Sequence, residues 1–244
     1  MFDRATSLDI LRDGEIEVVG RIVGSSNNAM LVTVTRVCPE PEPVQVLQAV
    51  YKPILGERPL NDFPDGTLAR REVAAWHVSE ASGWGIVPPT VLREGPFGEG
   101  MVQSFVEADP DVDVVAMILG DDPRLRPMAV LDAVMNNTDR KGGHILAVDG
   151  GQRIHGVDHG VCFSAVPKLR TVLWGWRGQP LEPEELDGVE RIRVALDGDL
   201  GTELRRLVSR TEVRATVRRA DSLLATGTFP YPSPNWPAIP WPPF

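Results

Sequence analysis

The sequence predicts an α+β protein of two lobes, the first rich in strands and the second in helices. Three observations predict it. Alternating apolar residues, cut by Gly, Asn and Pro turn signals, fill most of the first hundred or so residues. From about residue 110 the apolar spacing turns mainly helical as far as about residue 225, around one small internal hairpin. The composition, 42% hydrophobic and 24% charged over 244 residues, is that of an ordinary globular chain with material for one generous domain or two small lobes. The change of character divides the chain into a strand-rich part (1–104), a helical part (105–228) and a proline-rich tail (229–244).

Residues 15–37 read as strand, turn, strand. Val18 and Val19 lead into Gly20, a polar turn follows at 24–28, and Leu31, Val32, Thr33 and Val34 form the return. The Pro-rich stretch 38–43 separates this hairpin from a third strand at 44–53. Residues 67–82 carry Leu68, Val73, Ala75 and Trp76 at helical spacing, with Thr67 as N-cap and Gly83 as the stop. Strand-like runs follow around 86–92 and 100–106, with a connecting hinge near 101–109. Helices are expected at 111–119, 126–137, 183–197 and 201–225, around a small hairpin of strands 144–149 and 153–158 turned by Gly150-Gly151. The tail holds seven prolines and two tryptophans, which predicts extended chain. Strands with one helix, then helices with one hairpin, is the plan of a bilobal protein-kinase-like fold, a nucleotide-covering N-lobe followed by a helical C-lobe.

Charge and cysteine content narrow the function. A net charge of −9 excludes a general nucleic-acid binder and disfavours an anionic membrane surface as partner. Cys38 and Cys162 are too few for a disulfide scaffold or a cysteine metal site. No signal peptide or transmembrane run is visible, so the expected compartment is the cytoplasm. Only three of the 25 basic residues are lysines: Lys52, Lys141 and Lys168. Where such a chain keeps a lysine, arginine's planar fork is not an equivalent substitute.

Two of those lysines fall among residues that suit phosphoryl transfer from ATP. That chemistry needs a lysine on the phosphates, a carboxylate holding it, a carboxylate beside the acceptor hydroxyl, and metal ligands. Lys52 ends the third strand, and Glu72 lies 20 residues on, inside the following helix. Each alone reads equally as a surface residue; strand lysine followed by helix glutamate is the order a Lys–Glu pair requires. The run Asn136-Asn137-Thr138-Asp139-Arg140-Lys141-Gly142-Gly143-His144 leaves a helix for a strand. Kinase loops set an Asp five residues before an Asn metal ligand; Asp139 and His144 have that spacing, with His in the Asn position. Nineteen residues after Asp139, Asp158 ends an apolar strand where a carboxylate can bridge Mg²⁺ to phosphates. Lys141 is close enough in sequence to meet the γ-phosphate or the acceptor, and with Lys52 and Arg140 would build positive potential locally. Gly24, Ser25, Ser26 and Asn27 would offer N–H groups and hydroxyls to phosphate oxygens, though any hairpin turn uses such residues. His77 and His155 lack metal-ligand spacing, and Trp174 and Trp176 read as packing residues.

On Tyr51-Lys52-Pro53, Asn137-Thr138-Asp139-Arg140 and Val157-Asp158-His159-Gly160, over roughly 15–225, the chain resembles the phosphoinositide 3-/4-kinase superfamily. It is most similar to type II phosphatidylinositol 4-kinases and HipA-type bacterial protein kinases, and its layout resembles uncharacterised actinobacterial proteins of that group. The resemblance implies ATP and Mg²⁺ as cofactors. It also implies Asp139 orienting or deprotonating the acceptor, Asp158 binding Mg²⁺, Lys52 on the α/β-phosphates and Glu72 orienting Lys52. A hinge at 101–106 would receive adenine through Gln103, Phe105 and Val106, mainly by backbone groups.

His144 departs from that pattern, since imidazole weakens a Mg²⁺ site and suits Mn²⁺ better. Only about two dozen residues separate Asp158 from the next helical region, which leaves little room for a large acceptor platform. The expected function is therefore an ATP- and Mg²⁺/Mn²⁺-dependent kinase acting on a hydroxyl, with protein Ser/Thr, its own included, as preferred acceptor. A lipid or small alcohol is the alternative acceptor, and a nucleotide-binding pseudokinase the alternative class. The tail either docks a proline-reading partner or packs back on the helical lobe.

Overall fold

A computed structural model describes residues 2–22, 28–39 and 43–244, which fall into two units: 1–73 with 88–106, and 74–87 with 107–244. The first unit is built on one antiparallel sheet of strands β1 (Glu15–Arg21), β2 (Met30–Arg36), β3 (Gln45–Pro53), β4 (Thr90–Gly95) and β5 (Gly98–Ser104), in the order β1-β2-β3-β5-β4. Helix α1 (Arg4–Asp13) packs against it, a helix the sequence reading did not anticipate. Its signals are local: the Asp3 carboxylate accepts from the Thr6 amide at 2.7 Å as an N-cap, and Ile10 and Leu11 share one face. Those two side chains, with Val32, Val34, Ala49, Tyr51, Val91 and Val102, form the core of the unit.

Strand parity then decides where Lys52 points. Along β3, Ala49 and Tyr51 are buried in the core under α1, and the alternate residues Val46, Gln48, Val50 and Lys52 emerge on the opposite face. Gly100 on β5 faces the Lys52–Pro53 backbone so closely that a Cβ would collide with the Lys52 carbonyl, so the strand end carrying Lys52 is seated on a glycine. Strand β4 begins at Thr90, later than the expected 86, because Pro88 and Pro89 bring no N–H to a ladder.

Helix α2 (Leu68–Ser82) starts in the first unit and continues into the second. Its first amides are not capped by Thr67, as the sequence suggested. The Glu57 carboxylate, from the loop after β3, accepts from the Leu68 amide at 3.0 Å and the Ala69 amide at 2.7 Å. Thr67 instead donates its hydroxyl to the Pro64 carbonyl. Glu57→Ala is expected to cost about 1 kcal/mol, read as a lower thermal midpoint.

The second unit is helical. It contains α3 (Val114–Leu119), α4 (Arg126–Met135), the hairpin β6 (Ile145–Val148) and β7 (Arg153–Gly156), then α5 (Pro183–Leu196), α6 (Asp199–Leu207) and α7 (Arg210–Thr226). Helix α4 packs on α5 and α7, burying Val130, Leu131 and Val134 with Val189, Ile192 and Val213. The helix expected at 201–225 is two helices, because Ser209 opens α7 with a capping box: its hydroxyl accepts from the Glu212 amide and Glu212 accepts from the Ser209 amide. Trp174 and Trp176 are buried, and both cysteines are free thiols. The tail contains no helix or strand. Among the described residues no helix is long and apolar enough to cross a membrane.

Candidate active site

In the first unit, Lys52 Nζ lies 2.7 Å from Glu72 Oε1. Glu72 is 2% exposed and Lys52 15%, so the pair is largely withdrawn from water. The arginines preceding Glu72 have other surroundings: Arg70 pairs with Glu99 at 2.8 Å, and the Arg71 guanidinium lies 4.8 Å from the Phe63 ring centroid.

In the second unit, the candidate loop is held from below. Helix α4 ends at Asn136 in the left-handed conformation (φ 53°), a position Asn tolerates. The Asn136 amide donates to the Ser164 and Val166 carbonyls, and its oxygen accepts from the Lys168 amide. The next residue orients the loop: Asn137 donates to the Asp132 carboxylate at 2.9 Å and accepts from the Asp139 amide at 3.0 Å. The Thr138 hydroxyl donates to the Val161 carbonyl, which ties the loop to the segment after Asp158.

Arg140 is the hub. It and Asp132 are each 0% exposed, joined by hydrogen bonds of 2.9–3.2 Å. The guanidinium also donates to the His144 carbonyl (3.2 Å) and the Val157 carbonyl (3.1 Å), and meets His159 Nε2 at 2.6 Å. Burial works against its charge, but the Asp132 carboxylate prevails and the net pKa shift is upward. The expectation that Arg140 adds positive potential at the site therefore fails: its charge is met inside the protein. It fastens the loop and the Asp158 motif to one framework, to which the Val157 amide adds a 3.0 Å bond to the His144 carbonyl.

Two pairs emerge from this framework. Lys141 Nζ is 3.0 Å from Asp139 Oδ2, both side chains part-exposed. His144 Nε2 is 3.3 Å from Asp158 Oδ2. Asp158 has φ 61°, a left-handed conformation that Asp tolerates better than most residues. Burial is the largest influence on His144 and lowers its pKa, against the opposing pull of Asp158; its Nδ1 is buried with no hydrogen-bond partner among the described residues. Among the described residues no three His, Cys, Asp or Glu side chains gather into a self-sufficient metal site. Mg²⁺ does not require one, since it takes one or two carboxylates and completes its shell with water and phosphate oxygens. The part-exposed Asp158 carboxylate suits that arrangement, and a nitrogen donor beside it suits Mn²⁺.

The remaining expected site residues are distributed differently. Gly24, Ser25, Ser26 and Asn27 lie outside the described residues. Gln103 is buried within β5 between β3 and β4, its side-chain amide donating to the Thr90 hydroxyl at 2.8 Å. The Phe105 amide donates to the Gln48 carbonyl, and Val106 follows it part-buried. Sequence reading missed Asp132 and the bracing role of Asn137. A signal existed for the first: an Asp amid Ala129-Val130-Leu131 and Ala133-Val134-Met135 sits on a stripe that only a buried partner would permit.

No protein-family model matches the chain. It is 42% identical over 270 residues to protein Rv2133c of Mycobacterium tuberculosis, an alignment spanning 96% of this chain and 94% of that one. Among solved structures it is similar to the Helicobacter pylori proinflammatory kinase CtkA, with TM-score 0.53 and 14% identity over 88% of this chain and 93% of that one. That likeness shows the fold, a bilobal kinase-like α+β architecture, as the element order predicted.

Proposed function

We propose that this chain, which belongs to the same family as protein Rv2133c of Mycobacterium tuberculosis, is a kinase-type phosphotransferase moving the γ-phosphate of ATP to a hydroxyl. The observation that carries the reading is the Lys52–Glu72 pair: a buried helix carboxylate holds the ammonium of a strand-end lysine at 2.7 Å. An ammonium so fixed is preorganised for the α/β-phosphates. In this reading the strand-rich lobe, 1–104, covers the nucleotide. Since the Gln103 side chain and the Phe105 amide are engaged within the sheet, adenine is met by the Phe105 carbonyl and the Val106 backbone.

The lobe at 105–228 supplies the chemistry. Asp139 accepts the acceptor's hydroxyl hydrogen bond and takes up its proton as the new oxygen–phosphorus bond forms and ADP leaves, while Lys141, its ammonium 3.0 Å from Asp139, meets the transferring phosphate. Asp158, with His144, would hold the divalent cation, Mg²⁺ or Mn²⁺, which when bound supplies charge neutralisation on the phosphates. The preferred acceptor is a protein serine or threonine, with a lipid or small alcohol as alternative. Two free thiols and the absence of a long apolar helix among the described residues fit a cytoplasmic protein.

The reading is tested by transfer of labelled γ-phosphate from ATP under Mg²⁺ and Mn²⁺. Label transferred by the wild type, and a loss of about 10²-fold or more in Lys52→Ala, are expected. No label, or undiminished transfer in Lys52→Ala, overturns it. His144 favours a second reading, a nucleotide-binding pseudokinase, which predicts nucleotide-dependent thermal stabilisation with no transfer under either metal.

A further inference from the structure

We infer that residues 236–244 are a positioning element of the Asp139 loop, with Phe244 as the side chain that holds Gly142 and, through it, Lys141. The kinetic part of this inference rests on the proposed phosphotransfer; the structural part does not.

The segment's course carries it. Helix α7 stops at Gly227 (φ 62°), and Phe229 is then anchored: it is buried, exchanges backbone bonds with Gly178 and Gln179, and lies near Trp176 and the Arg126 guanidinium. Further on, the Ala238 carbonyl accepts two donors, the Thr171 amide at 3.0 Å and Trp174 Nε1 at 2.8 Å. Those donors belong to the strip that pairs with the loop: Arg170 N–H to the Asn137 carbonyl, Arg140 N–H to the Arg170 carbonyl, Val172 N–H to the Arg140 carbonyl. Finally the Pro243 carbonyl accepts the Gly142 amide at 2.8 Å. The Ala238 and Pro243 contacts each use a carbonyl of the tail. A proline-rich strap has few N–H groups to satisfy, and its stiff backbone loses little entropy when fixed.

Gly142 supplies an independent sign. It is not among the residues with positive φ, so its backbone does not demand glycine. What a Cβ there would meet is the half-exposed Phe244 ring, which would have to move aside to admit it. The loop and the tail are thus fitted to each other at one point, next to Lys141, whose ammonium is 3.0 Å from Asp139. Fixing the Gly142 amide fixes the peptide plane that follows Lys141.

The experiment combines amide exchange with a double-mutant cycle. Deleting 243–244 removes the acceptor, so exchange at Gly142 is expected to quicken by about fivefold or more, while Arg140, bonded to Arg170, is unchanged. Phe244→Ala and Gly142→Ala each lower kcat by roughly fivefold to tenfold, with KM for ATP unchanged; Phe244→Leu retains most activity. Gly142→Ala/Phe244→Ala is milder than the product of the single losses, since the smaller side chain makes room for the Cβ. Should the deletion fail to fold, exchange is read in Phe244→Ala. Unaltered exchange at Gly142, multiplicative single losses, or equal loosening at Arg140 overturns the inference. A wild type that transfers no phosphate defeats the proposed function alone; the brace is then decided by exchange and by the same cycle read in thermal midpoints.

Discussion

Asp139→Ala and Asp158→Ala are each expected to lower phosphate transfer by about 10³-fold or more, for different reasons. Asp139 is presented by a 3.0 Å bond from its own amide to Asn137, whose side chain in turn donates to Asp132. Those bonds fix the Asp139 backbone from within the second unit, and in the proposed reading Asp139 meets the acceptor and not ATP, so its loss should leave ATP binding nearly intact. In the proposed reading Asp158 would hold the cation. Its removal should weaken ATP binding in the presence of Mg²⁺ and leave metal-free binding little changed. Calorimetry with and without metal, beside single-turnover transfer, separates the two. Transfer at wild-type rates in either variant contradicts its assigned role.

Asp132→Ala should have the largest effect on stability. It leaves the Arg140 guanidinium fully buried without its carboxylate, a situation that costs about 3–5 kcal/mol. For a chain of this length that is a fall of about 10 °C or more in the thermal midpoint. The guanidinium also holds the His144 and Val157 carbonyls, so the loop and the Asp158 motif should loosen together. Asp132→Asn keeps a hydrogen-bond acceptor but not the charge, and is expected to fall between wild type and alanine. A shift within about 1 kcal/mol for Asp132→Ala would show that Arg140 finds compensation elsewhere.

These residues also mark what the sequence could and could not reveal. The Lys52–Glu72 pairing was legible because a strand-end lysine followed 20 residues later by a helix glutamate is an order visible in the sequence, and the structure places the two side chains in contact. The spacing of Asp139, His144 and Asp158 was legible for the same reason, and His144 does reach Asp158. Arg140 was misread: a basic residue between Asp139 and Lys141 looks like part of an electropositive site. Only the tertiary return of the chain shows that Asp132, on α4, claims it. The start of α2 was assigned to its own Thr67, whereas the cap comes from Glu57, 11 residues before Leu68. Local propensity cannot see a carboxylate delivered by a loop. Gln103 and Phe105 suited adenine by position, but only the ladder shows that the Gln103 side chain and the Phe105 amide already have partners. Helix α1 went unseen although its Asp3 cap and paired Ile10 and Leu11 were available.

The most direct measurement is a crystal structure with a non-hydrolysable ATP analogue and Mn²⁺. The predicted result is phosphate oxygen within hydrogen-bond distance of Lys52 Nζ, Lys52 still paired with Glu72, and the cation on the Asp158 carboxylate. Nucleotide bound away from Lys52, or a cation that ignores Asp158, would contradict the phosphotransferase reading.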